Sequence, residues 1–262
     1  LLAVRVDKRE VREESLRHLL SLREKHDGVE SGKAFDAAEQ LADFLVKERR
    51  YAEAHPIYLR LIKAWQPLLP TQFSAYGDRY RRLVDVLKVN EDYSEARAAL
   101  AALLTPATAA LGEESPFVLD LHYLRPELLA LEKRYPEAES AYTSLLAWRE
   151  QKLGSSTLPV IGMLANNLGE VCRLQGAHDR AEVNYRKALS AYAASLNEVH
   201  PFIATVERNF GLSLFEQKRF GEARSHLRAA LQIQGMATPP SPIEIGRTLQ
   251  ILAETAIAEK DY

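Results

Sequence analysis

This chain of 262 residues has very little with which to do covalent chemistry. Its one cysteine, Cys172, excludes an internal disulfide. Lys and Arg number 34 against 36 Asp and Glu, a formal net charge of −2, so the basic face expected of a nucleic-acid protein is missing. No block of like charge is long enough to form a solvated tail. The apolar runs, such as Ile57–Ile62 interrupted by Arg60, fall far short of the roughly 18 residues a membrane span needs. There is no glycine-rich phosphate loop, no nucleophile elbow and no His-Glu-x-x-His. The histidines (18, 26, 55, 122, 178, 200 and 226) make no i, i+4 pair. These absences predict no enzyme, no metal site, no cofactor, and neither nucleic acid nor membrane as partner. The chain opens on Leu1 with no signal-peptide pattern and reads as a piece of a longer protein with possible further domains. The compartment is left open, with the cytoplasm favoured.

What the chain does have is a ruler. Tyr51, Tyr93, Tyr135, His178, Phe220 and Tyr262 follow at intervals of 42, 42, 43, 42 and 42 residues. Three residues after each of the first five stands an alanine: Ala54, Ala96, Ala138, Ala181 and Ala223. A period of this size signifies stacked supersecondary units rather than one globular core. Within a unit, Leu164, Leu168 and Cys172 recur every fourth residue until Gly176, the apolar stripe and stop of a helix. Ala181, Tyr185, Ala188 and Leu189 form a second stripe, so each unit is a helical hairpin. Cys172 fills a column otherwise held by leucine and reads as a small core residue.

The other units repeat these columns. Four residues after the repeat alanine come Tyr58, Leu100, Tyr142, Tyr185 and Leu227; eight after it come Ile62, Leu104, Leu146, Leu189 and Leu231. Thirteen before it stand Leu41, Leu83, Arg125, Leu168 and Phe210, and nine before it Leu45, Leu87, Leu129, Cys172 and Leu214. Ala42, Gly169 and Gly211 share a column whose smallness lets the paired helices approach closely. Glu53, Glu95, Glu137 and Glu222 fall in the first turns of second helices, where the helix dipole favours an anion. Pro136 is placed at a first helical position, where its missing N–H costs nothing.

First helices are predicted at about 33–49, 72–90, 115–133, 157–175, 201–218 and 241–260, and second helices at about 52–66, 94–111, 136–152, 178–196 and 221–236. Residues 7–26 occupy the second-helix phase of a preceding unit. The organisation is thus 1–32, a preceding second helix and linker, then 33–262, five hairpins and a final first helix. Pro126 inside a predicted helix and Pro106 late in another predict a bend near residues 104–128, with the helix broken or kinked at Pro126. The last helix carries an apolar spread from Ile245 to Ile257 wider than one stripe, which predicts that more chain, a partner or a second copy covers it.

These columns resemble the tetratricopeptide repeat, with its Leu-Gly pair, aromatic and alanine. Leu164–Gly169 and Ala181–Leu189 match best, and the resemblance covers roughly residues 33–262. The long period and the His200-Pro201 start are similar to the kinesin-light-chain type. The resemblance implies an all-α fold, a right-handed α-α superhelix of helical hairpins. It implies a scaffold that binds a peptide or helix segment of a protein partner in a concave groove. It equally admits the regulatory or sensor region of a larger enzyme, such as a caspase-like protease or protein kinase controlled by partner docking. A purely architectural role in a large assembly is a third possibility.

In this family the concave wall is built by first-helix residues that point away from the second helix. The resemblance implies that Asn166, Asn167, Arg208, Asn209, Arg81 and Arg82 clamp a peptide backbone or carboxylate. Gln40, Leu124 and Glu39 share those columns. The row Asp43, Asp85, Glu127, Glu170 and Leu212, continued by Glu254, lines the same wall, and Asp85, Glu127 and Glu170 would favour a ligand with spaced basic residues. Tyr123 and Phe215 are candidate aromatic anchors. Other readings stay open: Arg81 and Asp85 form an ordinary i, i+4 pair, the acids solubilise, and the asparagines bond neighbouring helices.

Overall fold

The computed structural model describes residues 8–237 and 239–260; residue 7 and Tyr262, the last mark of the ruler, lie outside them. Twelve α-helices and one 3-10 turn are described, with no strand among these residues. They are α1 (Lys8–Asp27), α2 (Gly32–Lys47), α3 (Tyr51–Trp65), α4 (Leu69–Val89), α5 (Tyr93–Leu111), α6 (Pro116–Leu131), α7 (Tyr135–Leu153), α8 (Pro159–Leu174), α9 (His178–Ser195), α10 (Pro201–Glu216), α11 (Phe220–Met236) and α12 (Pro242–Lys260). The 3-10 turn, Gln66–Leu68, joins α3 to α4. The chain divides into two compact units, Leu1–Leu128 and Leu129–Tyr262, with the division inside α6.

All five repeat alanines are 0% exposed. The column four residues later is buried in every unit, from Tyr58 to Leu227, as is the column nine before, from Leu45 to Leu214. The small column has the reason its composition implies. A Cβ on Gly169 would lie 2.8 Å from the Tyr185 ring and 3.3 Å from the Ala181 carbonyl oxygen. One on Gly211 would meet Leu227 at 2.8 Å and the Ala223 carbonyl at 3.2 Å. In both hairpins the backbones are as close as they can come.

The turn from first to second helix is one motif used five times. Its residues Arg49, Glu91, Lys133, Gly176 and Lys218 have φ of 59°, 66°, 60°, 73° and 62°. After each, the next N–H bonds back to a carbonyl five residues earlier, as Arg50 to Leu45, Arg134 to Leu129 and Arg219 to Leu214, at 2.8–2.9 Å. This is the Schellman closure, which satisfies helix-end carbonyls that would otherwise be orphaned. Only Gly176 is free of the left-handed steric cost. Arg50, Arg134 and Arg219 then open the second helices without a side-chain cap. Each instead grips the glutamate three residues on: Arg50 to Glu53 at 2.6 Å, Arg134 to Glu137 at 2.7 Å and Arg219 to Glu222 at 2.8 Å. Pro136 stands second in α7, after Tyr135, where an unbonded nitrogen is equally harmless.

The expected break at Pro126 is corrected. Helical backbone runs unbroken from Pro116 to Leu131, and α5 likewise passes through Pro106. Proline's fixed φ is itself helical, so the loss is one backbone bond and a local crowding. Pro126 falls in the small column of Gly169 and Gly211 and is buried there; Leu124 turns inward while Arg125 turns out. The non-helical backbone inside a helix occurs instead at Gln72 of α4, with φ −130° and ψ 35°. As expected, the helix around Leu168-Gly169 is continuous.

Candidate partner-binding surface

The candidate residues divide between the two units. In the second, α8 and α10 bring Asn166, Asn167, Arg208 and Asn209 together. Asn209 donates from Nδ2 to Asn166 Oδ1 at 3.2 Å, and Asn166 donates to Asn167 Oδ1, also at 3.2 Å. All three asparagines are half-buried. Arg208 makes a long contact to Asn209 Oδ1, 3.5 Å, and an ion pair with Glu244 of α12. Asparagines 43 residues apart thus form a rung between neighbouring first helices. Each amide offers two donors and two acceptor lone pairs, so the rung leaves hydrogen-bonding capacity on every member.

Glu170 is differently engaged. Its carboxylate accepts from the Tyr185 hydroxyl at 3.0 Å and from Arg173 at 2.6 Å. Burial, then the Glu170 charge, pushes the Tyr185 phenol far above its ordinary range, so it remains a donor. Arg173, almost enclosed, also pairs with Glu216 of the next repeat. The same geometry recurs in α2 and α3, where Tyr58 donates to Asp43 at 2.9 Å. At these two positions the acidic row is structural, because its carboxylates accept the second-helix tyrosine.

In the first unit the wall columns are held in ion pairs. Arg81 binds Asp85 at 2.5 Å and Asp120 at 2.8 Å. Arg82 reaches Asp43 at 3.2 Å and Glu39 at 3.5 Å. Glu127 takes Lys88 at 3.1 Å, and Tyr123 is half-buried. Most of these partners are about one repeat apart, so the charges tie successive repeats together. Sequence reasoning missed Arg173, Glu182 and Arg219; their signal was an arginine and an acid about one period apart.

Burial pushes the Cys172 thiol up to about 11, with the Glu139 carboxylate adding to it, so at neutral pH it is not a thiolate. No group of three His, Cys, Asp or Glu among the described residues could hold a metal ion. No described helix is long and apolar enough to cross a membrane. An open cavity of about 500 Å³ lies between α7 and α9, floored by Leu146, Ala147 and Val183. The Glu150–Lys187 and Glu139–Arg180 pairs edge it at 2.7 and 3.4 Å.

Tandem hairpins, the buried alanine column and the glycine-mediated helix contact agree with the comparison of sequence families. Residues 160–235, which contain the asparagine rung, match the tetratricopeptide repeat. The likeness to that family is confined to this part of the chain. The whole chain has the corresponding fold. BtubC (BKLC) from P. vanneervenii is similar over 90% of this chain and 94% of its own, at 18% identity and a TM-score of 0.60. A Podosopora anserina chain of kinesin-light-chain type, with nearly identical TPR-like repeats, covers 76% of this chain and 94% of its own, at 16% identity and a TM-score of 0.59. A signal transduction ATPase with numerous domains and a tetratricopeptide repeat sensor, from Pyrococcus horikoshii, covers 93% of this chain at 14% identity and a TM-score of 0.53. The match spans 37% of that protein. A search among curated proteins returns no significant match. The expected all-α tetratricopeptide fold of helical hairpins is the one observed.

Proposed function

We propose that this tetratricopeptide-repeat chain is a protein-binding module whose grip is the amide rung of α8 and α10. The observation that carries the reading is the half-buried set Asn166, Asn167 and Asn209, bonded at 3.2 Å yet not saturated, beside Arg208. Asparagine is mildly unfavourable inside a helix, and three of them on two adjacent first helices need a compensating role. Amides offering donor and acceptor together suit a peptide backbone whatever its side chains. Arg208 adds a charge that a carboxylate can share with Glu244. Arg81, Arg82, Asp85, Glu127 and Tyr123 belong to the first unit, where ion pairs hold the four charged members and make this set secondary; the Glu170 carboxylate is taken up by Tyr185 and Arg173.

The test begins with peptides selected from a displayed library on the intact chain. Replacing Asn167 and Asn209 together by alanine is expected to weaken a selected peptide by about 5- to 150-fold, or about 1–3 kcal/mol. Loss of the Asn209–Asn166 bond will also lower stability by about 0.5–1.5 kcal/mol, so affinity is measured well below the melting transition. Full affinity in the folded double variant refutes the grip.

A second reading has one observation in its favour. In the Pyrococcus horikoshii protein a repeat region of this fold is a sensor within a larger signalling ATPase. By analogy the array would hold a larger protein inactive until a partner docks. Binding a peptide to the rung should then change the activity of the parent protein, whereas a simple scaffold shows binding alone.

A further inference from the structure

In the hairpin of α10 and α11 a cavity stands where the preceding hairpin holds a ring. The eleventh residue after each repeat alanine is buried: Trp65, Ala107, Arg149, Tyr192 and Gln234. In α9 the Tyr192 ring lies so near α8 that a Cβ on Gly162 would meet it at 2.6 Å. One period on, α10 carries Ala204 where α8 has that glycine, and α11 carries Gln234 where α9 has the ring. A cavity of about 170 Å³ results, with Ala204, Thr205, Ile233, Gln234, Ser241 and Glu244 in its wall. Gln234 is 8% exposed, and its Oε1 is buried with no hydrogen-bond partner among the described residues. A buried acceptor left unpaired is costly, so the oxygen calls for a donor. The space is larger than one water needs. A cation finds no free charge there, because the Glu244 carboxylate is already held by Arg208 and, at 2.8 Å, by Arg247. An anion would be buried against that same carboxylate and the Gln234 oxygen. An apolar ligand leaves Gln234 unsatisfied, and an uncharged donor remains.

We propose that this cavity binds one primary carboxamide, either a free small amide or the side chain of an asparagine or glutamine. The wall supplies the complement. Gln234 Oε1 takes one amide N–H. Thr205 gives its own proton to the Pro201 carbonyl at 3.1 Å, which leaves its lone pairs for the other. The Ser241 hydroxyl donates to the amide oxygen. A carboxamide pairs with Gln234 whichever way that side chain is turned, since each carries donors and an acceptor. It is also planar, as is the ring whose place it takes. The site is separate from the asparagine rung, and its success or failure leaves that reading untouched.

The test titrates the intact, nitrogen-15-labelled chain with propionamide and follows the Gln234 side-chain amide and the Thr205 and Ile233 backbone amides by NMR. Saturable shifts are expected, with none from propionate or propylammonium. Gln234→Met keeps the length of the side chain and removes its acceptor. Ser241→Ala removes the donor at an exposed position, so packing is left alone. Each should weaken propionamide by about fivefold or more, the effect of one lost hydrogen bond. The tripeptides Ala-Gln-Ala and Ala-Leu-Ala separate the two sources. Saturation by the first alone assigns the amide to a side chain; silence from both, beside a propionamide response, assigns it to a free small molecule. No saturable propionamide shift, an equal response to a charged analogue or to Ala-Leu-Ala, or affinity indifferent to both substitutions overturns the proposal and leaves the cavity to solvent.

Discussion

Gly169→Ala and Gly246→Ala are the same change, in the same kind of helix, and should have opposite signs. On helix propensity alone each should gain about 1 kcal/mol. At Gly246 nothing lies within 4 Å of the new methyl, so that gain should be realised. At Gly169 the methyl meets the Tyr185 ring at 2.8 Å and the Ala181 carbonyl at 3.3 Å. Tyr185 cannot retreat: it is fully buried, its hydroxyl is held by Glu170 at 3.0 Å, and its ring stacks on Phe210 with centroids 5.6 Å apart. α8 and α9 must separate, an overpacking cost of about 1–3 kcal/mol. The net change is therefore about 0–2 kcal/mol destabilising, against about 1 kcal/mol stabilising at Gly246. At about 2–4 °C per kcal/mol for a chain of this size, the two variants should bracket the parent in thermal melts followed by circular dichroism. A Gly169→Ala protein that melts above the parent by as much as Gly246→Ala would refute the argument that close helix approach explains the glycine.

Two further outcomes follow from the turns and the charge pairs. Lys133→Gly relieves a left-handed residue with φ 60° and should stabilise by about 0.5–1 kcal/mol, whereas Gly176→Ala, with φ 73°, should cost about 1 kcal/mol; urea midpoints of the two variants check the pair of signs. The Glu182 carboxyl is held below its usual range by the hydrogen bond from Arg219, assisted by Arg186 and opposed by burial. A depressed carboxylate stabilises the fold above its unfolded value, about 4.3, and the contribution is lost as pH falls through the lower folded value. Stability should therefore fall as the solution is acidified through that window, and Glu182→Gln should flatten the decline; an unchanged slope would show that the pair does not matter.

The sequence by itself determined the period, the helix boundaries to within a few residues, and the small columns at Ala181 and Gly169. It could do so because every unit samples the same local interactions, and repetition separates a structural column from accident. It also placed Asn167 and Asn209 in one column and Asn166 and Arg208 in the next, since spacing along a helix fixes angular position. What spacing does not contain is the distance between helices. Only the tertiary structure decided that the asparagines bond each other, that the acids at positions 43 and 170 accept tyrosine hydroxyls, and that Pro126 sits buried in an unbroken helix. Gly169 and Gly246 make the same point with one residue type. Each is a gap in its own helix surface, and whether that gap is filled depends on how near the next backbone comes, a property of packed pairs of helices and not of either helix alone.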